Sequence, residues 1–160
     1  MTKTKITWIA GAVAAAGLAL ATQAVHAQSR GNVADAPIAY GADQIARTPA
    51  GLSMRGRAEL TQGGNRMRAD SVTAATTDSN QLTRIEASGN VYYVTPNETI
   101  RADHAVYTAS NDTIILTGDV ILTQGKSVMT GSRLTYNVRT ETAEMGGGRV
   151  QGVFYPQGSN

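Results

Sequence analysis

Few residues in this chain could perform chemistry, and their spacing does not assemble a reactive site. Gly125–Ser127 resembles the end of a phosphate-binding loop, but Val120 stands where that motif needs its first glycine, and no helix follows. His104 is the only histidine beyond the first 26 residues and there is no cysteine, so a metal site lacks its usual ligands. Asp70 and Asp103 occur in identical Arg-Ala-Asp triplets, which favours a structural role. The sequence therefore predicts a protein without catalytic residues, metal or cofactor.

These triplets lie within a unit of about thirty residues that recurs along the chain. Leu60–Gly63 is repeated as Leu122–Gly125, and Arg68–Asp70 is repeated as Arg101–Asp103. The glycines that open the units are separated by 33, 29 and 30 residues: Gly56, Gly89, Gly118 and Gly148. A fixed period of this length is typical of arrays in which each unit packs against its neighbours.

Alternation of apolar and polar residues predicts that the units are built from β-strands. One face is apolar and the other polar in Leu52–Thr61, and the pattern returns in Arg84–Tyr93 and Thr113–Thr123. Turn-forming residues such as Gln62–Asn65 and Thr95–Asn97 divide the strands into hairpins. The chain beyond its first residues is therefore predicted to be all-β.

Each unit also contains a step at which the apolar spacing changes from two residues to three. The steps fall in Ala69–Val72, Ala102–Ala105 and Gly131–Leu134, and they predict a bulge or corner that redirects the chain. Serial antiparallel hairpins with such corners favour two stacked or V-shaped sheets, a β-jelly-roll-like semi-barrel. Its end strands are expected near Ile38–Ile45 and Arg149–Tyr155, where unpaired edges would be open to pairing with partner chains or to fraying.

The first residues predict export from the cytoplasm. Lys3 and Lys5 precede the uncharged stretch Ile6–Ala21, and small residues stand where a signal peptidase would cleave, after Ala27. An uncleaved membrane anchor is the alternative. A secreted chain without cysteine fits a bacterial periplasm. The predicted division is a signal peptide over 1–27, a flexible segment over 28–37, a β-domain over 38–155 and a tail over 156–160.

The charge balance excludes nucleic acid as a partner. Removing residues 1–27 leaves 12 basic and 12 acidic residues and a single lysine, Lys126. A nucleic-acid-binding domain normally carries a basic surplus on one face.

The inward faces of the predicted strands form a long apolar surface. Transfer of a lipid to water costs about 0.8 kcal/mol per CH₂, on the order of 10 kcal/mol per acyl chain, so a lipid carrier needs such a surface. The core of an ordinary β-sandwich would show the same pattern. The inward residues are Leu52, Met54, Leu60, Val72, Ile85, Val91, Tyr93, Tyr107, Ile114, Leu116, Val120, Leu122, Leu134, Tyr136 and Phe154.

The repeat resembles the OstA-like repeat of the LptA/OstA-like family of periplasmic lipopolysaccharide-transport proteins. The matching residues are Gly118–Gly125 and Arg101–Tyr107, and the resemblance covers roughly residues 38 to 155. Ser132 departs from the repeat's aspartate, and about four extra residues near Thr76–Asn80 indicate a longer loop.

This resemblance implies a twisted β-jelly-roll whose interior binds the acyl chains of lipopolysaccharide and bridges the inner and outer membranes. It also implies head-to-tail β-strand augmentation with an LptC-like inner-membrane partner, an LptD-like outer-membrane partner and further copies of the same chain. Two alternatives stay open at this point. One is a β-scaffold that links envelope proteins by edge pairing without carrying lipid, and the other is a membrane-anchored LptC-like subunit.

Overall fold

The computed structural model describes residues 36–156, and most of them lie in ten β-strands. The expected signal peptide, its cleavage after Ala27, most of the flexible segment and most of the tail lie outside the described residues. Within 36–156 no helix is long and apolar enough to cross a membrane. The strands are β1 Ile38–Gly41, β2 Gln44–Thr48, β3 Gly51–Gln62, β4 Asn65–Thr76, β5 Leu82–Val94, β6 Thr99–Thr108, β7 Thr113–Gln124, β8 Ser127–Asn137, β9 Thr142–Gly146 and β10 Gln151–Val153.

All ten strands belong to one antiparallel sheet. Strands β3 to β8 pair in sequence order, each with the next, as serial hairpins require. At one end β1 and β2 both pair with β3, and at the other end β9 and β10 both pair with β8. The all-β prediction and the serial hairpin topology are thereby confirmed.

A register shift near the middle of every long strand divides the sheet into two half-sheets. Side chains from the two halves pack against each other, so the sheet is folded over along the line of shifts into a narrow V. The first half-sheet has β2 and β9 as edges, and the second has β1 and β10. The first contains residues 44–55, 71–88, 104–117 and 133–146, and the second contains 38–41, 58–69, 91–102, 120–131 and 151–153.

The fold line is built from one repeated contact between a glycine and the preceding corner. Gly89 has a φ of 76° and the next residue, Asn90, has a φ of 45°, so two consecutive left-handed residues bend the strand. A side chain at Gly89 would overlap the Asp70 carboxylate, which accepts a hydrogen bond from Asn90 Nδ2 at 2.9 Å. We call the row of these contacts the spine: Asp43–Gly56, Asp70–Gly89, Asp103–Gly118 and Ser132–Gly147.

The spine corrects two details of the sequence reading. The predicted corners at the Ala-Asp steps exist, but the extra residue of each bulge lies on the glycine strand, where two residues oppose one. The fourth glycine in contact with a corner residue is Gly147 rather than Gly148, since Gly147 packs against Ser132.

The chain ends also differ from the sequence expectation. The predicted first strand, Ile38–Ile45, is interrupted at Ala42 and Asp43, where the spine begins, and becomes β1 and β2. The predicted last strand, Arg149–Tyr155, shortens to Gln151–Val153. Strand β9 was not expected, because its residues Thr142–Gly146 show weak alternation before the glycine run.

Candidate functional site

The space between the half-sheets is lined by rows of side chains that run across the strands. One row in the second half-sheet passes from Tyr40 through Leu60, Met67 and Tyr93 to Ile100. It then continues through Leu122 and Met129. Residues that face each other across antiparallel strands point to the same side, so each row forms one stripe of a continuous apolar lining.

Most of the predicted inward residues lie in this interior. Two more, Leu52 and Tyr107, are partly buried and pack against it. The structure therefore gathers fourteen of the fifteen predicted residues on one apolar surface. The twelve that are buried are Met54, Leu60, Val72, Ile85, Val91, Tyr93, Ile114, Leu116, Val120, Leu122, Leu134 and Tyr136.

Phe154, predicted to lie on the interior face at the end of the apolar lining, is the exception in burial. Its side chain is 77% exposed, because β10 ends at Val153 and no further strand covers it. It instead borders a cavity at the C-terminal end of the sheet together with Leu122 and Met129.

Three large buried residues were missed by sequence reasoning. Met67 and Ile100 each precede a small inward residue by two positions, so the alternation Met67–Ala69 and Ile100–Ala102 could have identified them. Val138 lies just beyond β8, and its N–H donates to the Asp112 carbonyl at 2.8 Å. Val138 continues the inward alternation of Leu134 and Tyr136, so the same period of two could have identified it.

The edge opposite the spine is closed by side chains alone. Tyr93 and Tyr136 come from different half-sheets, each one residue from the end of its strand, and their rings meet edge to face with centroids 5.5 Å apart. Asn65 Nδ2 donates to the Tyr93 hydroxyl at 2.7 Å, and the Glu98 carboxylate lies close enough to the Tyr136 hydroxyl to help raise its pKa. We call this group the seam: Asn65, Tyr93, Glu98 and Tyr136.

The seam tyrosines are held in their neutral form. Burial raises the pKa of the Tyr93 hydroxyl above its ordinary value, although the hydrogen bond from Asn65 opposes the shift. Burial also raises the pKa of Tyr136, and the Glu98 carboxylate reinforces it. A deprotonated tyrosine would place an unfavourable charge in the apolar interior, so the closed seam requires protonated hydroxyls.

The interior is nearly filled in its middle and opens towards both ends. A cavity of about 50 Å³ lies beside the seam, lined by residues of both half-sheets such as Met67 and Ile114. A cavity of about 260 Å³ opens at the N-terminal end and shares Ile38, Leu60 and Ile85 with it. A third, of about 160 Å³, opens at the C-terminal end beside Phe154. We call the two end cavities the N-terminal mouth and the C-terminal mouth.

Within residues 36–156, both ends of the sheet have strand edges that pair with no further strand, and both expose apolar side chains. At the N-terminal end Tyr40 is 51% exposed and Ile45 is 48% exposed, on β1 and β2. At the C-terminal end Val153 and Tyr155 are more than half exposed beside Phe154. Unpaired edges with apolar neighbours are the usual substrates of strand addition by another chain.

The residues considered for chemistry do not converge. His104 lies on the outer face, and its Nδ1 is 3.3 Å from the Ser88 hydroxyl. Asp70 and Asp103 occupy corners of the spine, and Lys126 lies in the turn between β7 and β8. Among residues 36–156 no group of histidine, aspartate and glutamate side chains is arranged to hold a metal ion.

Comparison with known proteins assigns the chain to a family. A comparison with curated proteins gives no significant match. Among solved structures, the chain is similar to LptH of Pseudomonas aeruginosa, described as the LptA-homologous periplasmic component of the conserved lipopolysaccharide transport device. The two share 17% sequence identity with a TM-score of 0.70, and the match covers 78% of this chain and 99% of LptH, which supports the β-jelly-roll fold. Residues 42–142 match the family described as LptA/(LptD N-terminal domain) LPS transport protein, and the chain therefore belongs to this family of lipopolysaccharide-transport proteins.

Proposed function

We propose that this protein is a non-enzymatic, periplasmic carrier that binds the acyl chains of lipopolysaccharide between its half-sheets and bridges the inner and outer membranes. The observation that carries the proposal is the apolar lining, which runs from one unpaired end of the sheet to the other. Each acyl CH₂ removed from water gains about 0.8 kcal/mol, so a continuous apolar lining suits a lipid that must cross an aqueous space.

Binding requires the half-sheets to move apart. The cavity beside the seam is about 50 Å³, whereas pockets for drug-sized ligands occupy roughly 300–1,000 Å³. The spine resists separation, because the backbone of each long strand runs through it from one half-sheet to the other. Across the seam the half-sheets are joined by the packing of the Tyr93 and Tyr136 rings, whereas the Asn65–Tyr93 hydrogen bond lies within the second half-sheet. The acyl chains therefore enter by opening the V at the seam, while the sugars stay outside.

The unpaired edges support a linear assembly. Each half-sheet has one free edge at each end of the molecule, β1 and β2 on one side and β9 and β10 on the other. Addition of a like-folded partner's strands would continue both half-sheets and align the apolar linings. We assign these edges to an LptC-like inner-membrane partner, an LptD-like outer-membrane partner and further copies of the chain.

Neighbouring tyrosines of β5 provide the test. Tyr93 is 5% exposed and faces inward, whereas Tyr92 is 40% exposed and faces outward. A photo-crosslinking amino acid is placed at each position in separate strains, and lipopolysaccharide adducts are measured in cells. We expect adducts from position 93 and none from position 92. The absence of adducts at both positions, in folded and correctly localised protein, would contradict lipid carriage.

The filled interior favours one alternative, a scaffold that links partners by its edges and carries no lipid. In that case, bulkier interior residues compatible with folding would leave pairing intact and cause no transport defect. Substituting Ala87 or Ala105, both 1% exposed, with valine separates the two functions. A carrier with the substitution pairs with its partners but delivers less lipopolysaccharide, whereas a scaffold remains fully active.

A further inference from the structure

The N-terminal mouth contains a charged residue in an otherwise apolar row. In the first half-sheet, pairing places Arg47 opposite Leu52, and the row continues through Ala74, Ile85 and Tyr107. It ends through Ile114 and Tyr136 at Ala143. Arg47 is the charged member of this row of described residues. Because facing residues point to the same side, its stem lies along the apolar lining and its guanidinium at the rim.

The guanidinium is positioned by the loop that the sequence marks as an insertion. Arg47 Nη2 donates to Asn80 Oδ1 at 3.3 Å. The loop is fixed by its own hydrogen bonds, from Asn80 N–H to the Thr77 carbonyl and from Thr77 N–H to the Gln81 carbonyl, both at 2.8 Å. Asn80 adopts a φ of 60°, a conformation that asparagine tolerates better than most residues. The loop thus holds a cation across the entrance.

Among residues 36–156, no acid balances the charge of Arg47. Asp78, in the same loop, forms no ion pair with it, and neither does any other carboxylate of residues 36–156. The apolar part of the same cavity is formed by Ile38, Tyr40, Leu52, Leu60, Leu82 and Ile85. The cavity therefore combines an apolar floor with an uncompensated guanidinium at its rim.

The C-terminal mouth lacks this feature. Its lining is apolar or uncharged, with Gln124 and Ser127 as its polar side chains. A ligand with both an acyl chain and an anionic group would therefore meet a complementary charge at the N-terminal mouth and none among the described lining residues of the C-terminal mouth.

We propose that the N-terminal mouth is a recognition site for a phosphorylated lipid, in which Arg47 binds a headgroup phosphate and the adjoining cavity receives the start of an acyl chain. A guanidinium offers paired donors that match phosphate oxygens, and charge assistance strengthens each bond. Asn80 is a positioning residue that orients the Arg47 guanidinium. This inference rests on the proposed lipid carriage and adds a headgroup requirement at one end of the molecule.

The proposed site is tested by measuring equilibrium binding of lipid probes to the purified protein by calorimetry at physiological ionic strength. The probes are a phosphorylated lipid A, the same lipid with its phosphates removed, and inorganic phosphate. We expect Arg47→Gln to weaken binding of the phosphorylated lipid roughly five- to tenfold, less than a buried charged contact would lose. Binding of the dephosphorylated lipid is unchanged by the substitution, and inorganic phosphate alone does not bind.

Two further variants control the result. Arg55→Gln removes an arginine from the outer face of the same half-sheet and leaves binding unchanged. Asn80→Asp places a carboxylate against Arg47 and reduces the preference for the phosphorylated lipid, as Arg47→Gln does. Equal affinity of wild type and Arg47→Gln for the phosphorylated lipid would overturn the recognition site and leave lipid carriage intact. Failure of the wild type to bind either lipid would overturn the proposed function itself.

Discussion

The spine and the seam run along opposite sides of the same V, and they hold the half-sheets together by different means. At the spine, strands continue from one half-sheet to the other, and each corner is fixed by a glycine against Asp43, Asp70, Asp103 or Ser132. At the seam, edge-to-face packing of the Tyr93 and Tyr136 rings makes the contact. Backbone continuity makes the spine the hinge, and the weaker seam makes the opposite side the opening. The proposed carrier function needs that difference, because two equally strong sides would give a closed core.

The largest effect is expected at the spine. Gly89→Val places a β-branched side chain at a φ of 76° and against the Asp70 carboxylate. We expect a loss of about 3 kcal/mol in the free energy of unfolding, measured by urea denaturation. Gly146→Val is the matched control, since Gly146 has open space around its Cα and should change stability by less than about 0.5 kcal/mol. Similar losses at both glycines would remove the distinction between a corner and an ordinary strand.

A smaller effect on stability is expected at the seam. Tyr136→Leu removes the ring contact with Tyr93 and leaves part of its buried volume empty. We expect a loss of about 2 kcal/mol in the free energy of unfolding, from the aromatic contact and the cavity. Hydrogen exchange should accelerate in β5 and β8 near the seam and remain slow at the spine. Tyr92→Leu, on the outer face, should leave both measurements near wild type. An equal effect of Tyr92→Leu would contradict the claim that the ring contact at the seam stabilises the protein.

Alkaline pH should weaken the seam selectively. Because the folded-state pKa values of Tyr93 and Tyr136 are raised above the ordinary value of 10.0, the unfolded chain loses these protons first. The stability contribution of the neutral hydroxyls is complete below pH 10 and declines as the pH rises above it. The double variant Tyr93→Phe, Tyr136→Phe should show a shallower alkaline decline in thermal midpoint. An unchanged slope would show that the seam tyrosines are not responsible.

The smallest effect is expected from the charge at the first corner of the spine. Arg57 Nε lies 3.0 and 3.1 Å from the two Asp43 carboxylate oxygens, and this hydrogen-bonded ion pair lowers the pKa of Asp43. The stability it contributes is present at neutral pH and is lost as the pH falls through that lowered pKa. The pair is exposed to solvent, and the Asp43 N–H to Gly56 carbonyl bond of 2.8 Å does not depend on it. Asp43→Asn should therefore shift the thermal midpoint at neutral pH barely beyond measurement error; a large shift would mean that charge, rather than backbone geometry, holds the corner.

The strands and most of the interior could be predicted because alternation encodes which side chains point inward. Residues such as Met54, Val91 and Leu116 follow a strict period of two, and a one-residue slip would expose all of them. The positions of the corners could be predicted from sequence, but not which strand carries the extra residue of each bulge. A spacing of three at Ala69–Val72 shows that the chain turns, yet the extra residue lies on the partner strand at Gly89 and Asn90. Register between strands is a property of the pair and is invisible in either strand alone.

The ends of the molecule were least predictable. Arg47 could not be assigned to an inward row from sequence, because the break at Ala42 and Asp43 resets the alternation between β1 and β2. Phe154 fits the inward alternation of the last strand, but its exposure depends on β10 ending one residue earlier. The insertion near Asn80 was visible as extra length, whereas its contact with Arg47 joins residues 33 positions apart. Such contacts follow from the fold rather than from a local pattern.

The spine has a consequence for how such molecules change in size. Each corner is determined by one glycine and one small polar residue on the neighbouring strand, without reference to more distant units. The angle between the half-sheets is therefore set locally, and the number of units sets only how far the V extends. The width of the space between the half-sheets and the length of the sheet are therefore independent in this architecture. Duplication or loss of a unit would alter the length of the sheet while preserving the width of that space.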